Sequence, residues 1–298
     1  MRPRIWLTAF LLAGLSCLFD VDAALAWGPA THVHLGTQML AQLGLLPASV
    51  AVLLTRCAVD YLYGNVAADV VVAKRWSRIK QFCHHWTTGF RLLETAPDER
   101  GQAFTLGYLS HLAADTVAHG KFIPRQLAVS RTTISFGHMY WEMRADHALA
   151  PAPFRELKAL ALHDFQMHHD LMAGVFTQTF LPYEMNLRMF ERINRLVTRR
   201  RWQRSVGVWG RYSRWPLCAE LLCRYHRECL DRMTSILSDG HRSPLLHDDP
   251  NGTSALLHAR VSRREVRRLR RRGLPLDHLV QEAAASYAPK PEPRIAVA

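Results

Sequence analysis

Apolar residues recur at helical spacing along nearly the whole chain. Leu, Val and Met mark residues 35–46 and 48–60, and Pro47 separates the two runs. Longer amphipathic patterns cover residues 102–119 and 136–150, and 154–180 precedes 183–204 with Pro182 as a start signal. Residues 217–237 read as one more helix. No run of alternating β-branched residues lies between hairpin turns, and Val70-Val71-Val72 is too short to argue for a sheet. The pattern predicts a mostly α chain without internal repeats. Gly240, Pro244, Pro250 and Gly252 predict an exposed loop over 239–259, and the proline-rich residues after Ala288 predict a disordered tail.

The N-terminus follows a different pattern. Arg2 and Arg4 precede an apolar run from Ile5 to Phe19, which falls short of the roughly 20 residues of a membrane span. Ala24-Leu25-Ala26 then offers the small-x-small pattern of signal-peptidase cleavage. The expectation is a signal peptide over 1–26, a helical domain over 27–238, and a loop, basic helix and tail over 239–298. The protein would be exported, periplasmic or secreted, with Trp27 as its first residue. Export would place Cys57, Cys83, Cys218, Cys223 and Cys229 where disulfides can form, although their spacing fixes no pairing and fits no zinc ribbon.

Charge divides the chain. The formal net charge of +13 is +2 over residues 27–180 and +11 over 181–298. The densest basic stretch, Arg263 to Arg272, reads as a solvated helix or as a peripheral contact for anionic membrane or nucleic acid.

The candidate chemistry is concentrated earlier. His111, Asp115 and His119 drift by only about 40° per four-residue step, so they share one helix face. Small and apolar residues lie between them, and burying two imidazoles and a carboxylate there calls for a partner. A divalent cation is the economical one, and His with Asp suits zinc. His138 and Glu142 repeat the spacing on a second helix, with Asp69, His84, His85 and His32 on other segments. Asp146 and His147 lie close enough to Glu142 to support ligands from behind. His163, His168 and His169 read as solvated or core histidines.

The ordered motifs are Trp27 to His32, Gly64-Asn65-Val66-Ala67-Ala68-Asp69, His85-Trp86, His111/Asp115/His119 and His138/Glu142. In this order they resemble the zinc-dependent phospholipase C family. The resemblance extends to the catalytic domain of glycosylphosphatidylinositol-specific phospholipase D and, through a trinuclear zinc site, to S1/P1 nucleases. It implies an all-α phospholipase C/P1 nuclease-like fold around three zinc ions. One zinc would take Asp69, His85, His111 and Asp115. A second would take the Trp27 amine and carbonyl, His32 and the bridging Asp115. A third would take His119, His138 and Glu142. His84 competes with His85, and the family's His-aromatic pair selects His85; His34 competes with His32, and the Thr31-His32 pair selects His32. Asp69 would be both ligand and candidate general base. The implied activity is phospholipid hydrolysis of the phospholipase C type, by a zinc-activated water. The alternatives are a single-strand nuclease or nucleotidase, or an inactive zinc-binding protein. Glu142 stands where the nucleases usually carry Asp, which favours the lipid reading.

Overall fold

A computed structural model describes residues 27–71, 82–130, 134–177, 179–272 and 277–290. Helices and turns make up these residues, and no strand occurs among them. The expected all-α class is what the chain adopts. The expected signal peptide lies outside the described residues.

The architecture is organised around one buried helix. Helix α1 spans Pro29–Leu40, α2 Ala48–Arg56, α3 Ala58–Ala67 and α4 Trp86–Glu94. Helix α5 spans Glu99–Val117 and is enclosed by α3, α4 and a late helix, α12 (Ala219–Asp239). Asp98 caps α5, its Oδ1 accepting from the Gly101 N–H at 2.8 Å, so the helix starts a turn before the apolar periodicity alone suggests. From Ala103 onward almost every α5 residue is buried, His111 and Asp115 included.

Close approach of α3 to α5 explains two glycines. A β-carbon on Gly64 would overlap the Phe104 carbonyl, and one on Gly107 would overlap the Tyr61 carbonyl. Without side chains at these crossing points the backbones meet directly. The C-terminal end of α3, with Asp69 just beyond it, is thereby brought against the His111–Asp115 stretch of α5.

Helix α5 does not run straight on through His119. Residues Ala118–Phe122 form a π turn, after which α6 spans Ile123–Val129. Single π turns inside α-helices are rare and gather at functional sites. Helix α7 (Ile134–His147) carries His138 and Glu142.

Beyond α7 the long periodic runs break. Residues 154–180 become α8 (Ala152–Leu160) and α9 (Gln166–Val175); residues 183–204 become α10 (Tyr183–Val197) and the start of α11 (Arg200–Arg211). The segment expected to be an exposed loop after α12 differs more. It forms short 3₁₀ turns over Gly240–Arg242 and Pro244–His247, and buries Ser243 and Asn251. It then becomes helical again as α13, Thr253–Arg271, which packs on α6 and the π turn, and α14 (Asp277–Ala285) follows. Arg224 reaches the Pro289 carbonyl and Glu228 accepts from the Lys290 N–H, so the chain stays attached to α12 there; the remainder of the expected tail lies outside the described residues. No disulfide joins the five cysteines of the described residues; Cys57, Cys83 and Cys229 are buried separately.

Candidate metal centre

Four side chains, from α1, the end of α3, the Phe82–His84 turn and α5, gather around Asp115. Its carboxylate is fully buried, with Oδ1 3.3 Å from His32 Nε2 and Oδ2 3.1 Å from both His84 Nε2 and His111 Nε2. Asp69 stands opposite, 3.4 Å from His84 Nε2 and 4.0 Å from His111 Nε2. The His32 and His111 rings stack at 3.8 Å. Two groupings have ligand atoms close enough for one cation: His32, Asp69 and His111, and His84, His111 and Asp115.

The next group continues along the same helix line. His119 Nε2 lies 3.9 Å from Asp115 Oδ2, its ring is 5.0 Å from that of His138, and His138 Nε2 lies 3.1 Å from Glu142 Oε1. All of these side chains are buried.

The tautomers are set from behind. His111 Nδ1 lies 2.8 Å from the Asn65 carbonyl, so Nδ1 carries the proton and Nε2 turns its lone pair to the cluster. Asn65 belongs to the Gly64–Asp69 motif, so its position was visible in the sequence while this task was not. Asp146 does the equivalent work for α1. Its carboxylate accepts from the Ala30 N–H (3.2 Å), the Thr31 N–H (2.9 Å) and the Thr31 hydroxyl (2.6 Å), anchoring the turn before His32. Burial pushes the Asp146 carboxyl up to about 6, against the pull of the Thr31 and Ala30 bonds.

Position 84, not 85, supplies the imidazole. The 3₁₀ turn Phe82–His84 buries all three of its residues, whereas His85 is exposed at the N-cap of α4. Successive residues of this tight turn face different sides, and Asn251 donates to the His84 carbonyl at 3.1 Å. The choice of His85 is therefore corrected: its side chain is outside the cluster, and His84 stands between Asp69 and Asp115. His32 is in the cluster, while His34 is half-buried and faces His226, with ring centroids 5.7 Å apart. Trp27 is buried, its ring stacked 4.6 Å from Phe122 at the end of the π turn.

The electrostatics of this centre are those of a cation site. Burial opposes ionisation of Asp115, yet His111, His32 and His84 hold it well below the ordinary carboxylate range. Burial and His111 lower His32, despite its contact with Asp115. Burial pushes Glu142 up to about 7, against the pull of His138. Both Asp115 oxygens, both His32 nitrogens, His138 Nε2 and Glu142 Oε1 are buried without a hydrogen bond of good geometry. Orphaned lone pairs at this density are costly in a protein interior. Imidazole nitrogens and carboxylate oxygens converging in a buried cluster fit zinc.

Comparison with known proteins adds a family to this geometry. The family model for zinc-dependent phospholipase C matches residues 31–186, just over half of the chain, and includes every residue of the cluster. The chain belongs to the zinc-dependent phospholipase C family, whose activity is hydrolysis of phospholipids with zinc. No curated protein and no solved structure matches.

The segment after α12 was missed as part of the site. Asn251 and Gly252 are buried against the backbones of His84 and His119. Arg232 bridges Asp248 (2.5 Å) to the α5 hydroxyl of Thr116 (2.8 Å), and Trp86 Nε1 donates to the Asp248 carbonyl at 2.9 Å. An Asn-Gly pair in the sequence signals only a turn. What the turn packs against is decided by chain distant in sequence.

Proposed function

We propose that this protein is an exported phosphodiesterase that cleaves phospholipids by the phospholipase C route. The observation that carries the reading is the buried convergence of His32, Asp69, His84, His111 and Asp115, whose imidazole nitrogens and carboxylate oxygens meet within 3.1–4.0 Å.

Asp69, His84, His111 and Asp115 would hold one zinc, and Asp115 would bridge to a second held with His32 and the main chain of Trp27. His119, His138 and Glu142 would hold a third. When bound, zinc supplies Lewis acidity toward the phosphoryl oxygens and an activated water.

The chain's own groups account for the remaining work. His111 is fixed by Asn65, and the α1 turn by Asp146, so the ligands are positioned before substrate arrives. Asp69, 7% exposed among fully buried neighbours, takes the proton from the attacking water. Water oxygen bonds to phosphorus, the bond from phosphorus to the glycerol oxygen breaks, and that oxygen receives the proton that Asp69 took up, which restores the carboxylate. Diacylglycerol and a phosphorylated headgroup are released. The closely packed apolar wall of α5 keeps bulk water from the reverse side of the centre.

Product analysis with phosphatidylcholine tests the proposal. Chelator-sensitive release of phosphocholine and diacylglycerol is expected. Release of choline with phosphatidic acid would contradict the cleavage assigned, and hydrolysis of single-stranded DNA alone would contradict the substrate class.

A further inference from the structure

Helix α13 presents two faces of opposite character. Its inner side, with Ala259 and Arg263 buried, packs on α6 and on the π turn that carries His119. Arg263, although part of the densest basic stretch, thus belongs to the interior. On the outer side Leu257 is 55% and Val261 56% exposed, and Arg264, Arg268 and Arg271 are exposed. At about 100° per residue, these five positions fall within a stripe roughly 80° wide.

Single exposed aliphatic side chains are ordinary. Two of them spaced by one turn, with three guanidinium groups continuing the same stripe, are a composite surface. Glu265, on the same helix, lies 3.9 Å from Arg268, and both are exposed, so this pair cancels little of the stripe's charge. The apolar pair suits the acyl boundary of a bilayer, and the guanidinium groups suit lipid phosphates, with planar donors matched to phosphate oxygens. The surrounding charge is complementary to such a surface, because residues 181–298 carry 23 Lys/Arg against 12 Asp/Glu. No described helix is long and apolar enough to cross a membrane, so contact at this face is adsorption.

Position completes the argument. Gly252 packs directly on the His119 carbonyl, and α13 starts at the next residue. Leu257 follows about one helical turn later. The helix that carries the stripe therefore starts at the segment that bears His119, and the stripe lies on its far side.

We infer that the outer face of α13 is an interfacial anchor for anionic phospholipid bilayers, holding the protein at the membrane surface by the helix that packs on the His119 segment. The anchor's purpose rests on the phospholipid-hydrolysing reading of the metal centre, whereas adsorption itself needs no turnover.

Cosedimentation tests it, using phosphatidylcholine vesicles with and without phosphatidylglycerol, at low and high salt. Three variants serve: R264Q/R268Q/R271Q, the charge-preserving R264K/R268K/R271K, and L257S/V261S, each checked for native helicity and melting. Wild type should prefer the anionic vesicles and lose that preference in high salt. The glutamine variant should bind anionic vesicles on the order of a hundredfold more weakly, and the lysine variant should retain most binding. L257S/V261S should weaken adsorption to either vesicle by about tenfold. Turnover of a water-soluble short-chain phosphatidylcholine should be unaltered in all three. Unchanged adsorption in both the glutamine and serine variants would overturn the anchor. Loss of retention by single-stranded oligonucleotides alone, with vesicle binding intact, would overturn it in favour of nucleic acid. Variant-sensitive adsorption by a protein inert to every phospholipid would uphold the anchor while removing the catalytic reading.

Discussion

The side-chain amide of Asn251 donates to the carbonyl of His84 across 167 positions of sequence. The next residue, Gly252, has φ +58° and packs on the His119 carbonyl. A turn outside the residues matched by the family thus braces two imidazole-bearing segments. Gly252→Ala should destabilise the protein by about 2–4 kcal/mol, combining the left-handed backbone with overlap on His119. Gly240→Ala is a comparison without a steric clash: nothing lies within 4 Å there, but φ +53° with ψ −123° lies outside the left-handed helical region, so about 1–3 kcal/mol should be lost from backbone strain alone. Denaturant unfolding of the two variants separates these costs. A loss below about 1 kcal/mol for Gly252→Ala would mean that the contact with His119 has no energetic weight.

The neighbouring histidines 84 and 85 should behave as opposites. His84→Ala removes an imidazole 3.1 Å from Asp115 and is expected to lower zinc content and to reduce turnover at least about a hundredfold. His85→Ala changes an exposed N-cap and should leave both nearly at wild-type levels. Metal analysis and phospholipid turnover of the pair would show the reverse order if the ligand were His85.

How far the sequence reaches is visible in these same residues. His111 and Asp115 share a helix face because four-residue spacing fixes their direction once the helix exists. Glu142 and His138 are legible on the same ground. The choice between His84 and His85 depends on a 3₁₀ turn whose direction is set by burial of Phe82 and Cys83, and periodicity carries no such information. His119 lies in a π turn, which spacing rules for an α-helix do not anticipate. Asn251 is a tertiary fact: its role depends on where α12 returns the chain, more than 160 residues after His84. The all-α class survives all of this because it needs only the period of the apolar positions.

Asp146 should act on the centre through α1 rather than by touching zinc. Asp146→Ala removes acceptors for two main-chain N–H groups and the Thr31 hydroxyl, all buried. The expected result is about 1–3 kcal/mol of lost stability and roughly tenfold or greater loss of zinc affinity at the His32 side. Chelator competition on folded variant checks this; unchanged affinity would mean that α1 holds His32 without the Asp146 cap.

Acid sensitivity should have a component remote from the metal centre. His168 Nε2 lies 2.7 Å from Asp60 Oδ1, while its Nδ1 is buried with no partner. Burial lowers the His168 pKa, against the pull of Asp60, because protonation would bury an N–H without an acceptor. The unfolded chain takes up this proton near pH 6.5, before the folded protein does. Stability from this group is thus present above that pH and is lost as pH falls through the lower folded value. His168→Gln should lose some stability at neutral pH yet show a shallower decline below about pH 6.5. Urea unfolding across that range reads both; a steeper acid decline in the variant would reverse the sign.

The central claim is that Asp115 bridges zinc ions that perform phospholipid hydrolysis. Zinc content per chain, measured together with phosphatidylcholine turnover for wild type and Asp115→Asn, tests it most directly. The account predicts zinc-loaded, chelator-sensitive wild type and a folded variant that loses more than one equivalent of zinc and nearly all turnover. A variant that keeps the full zinc complement and normal turnover would contradict it.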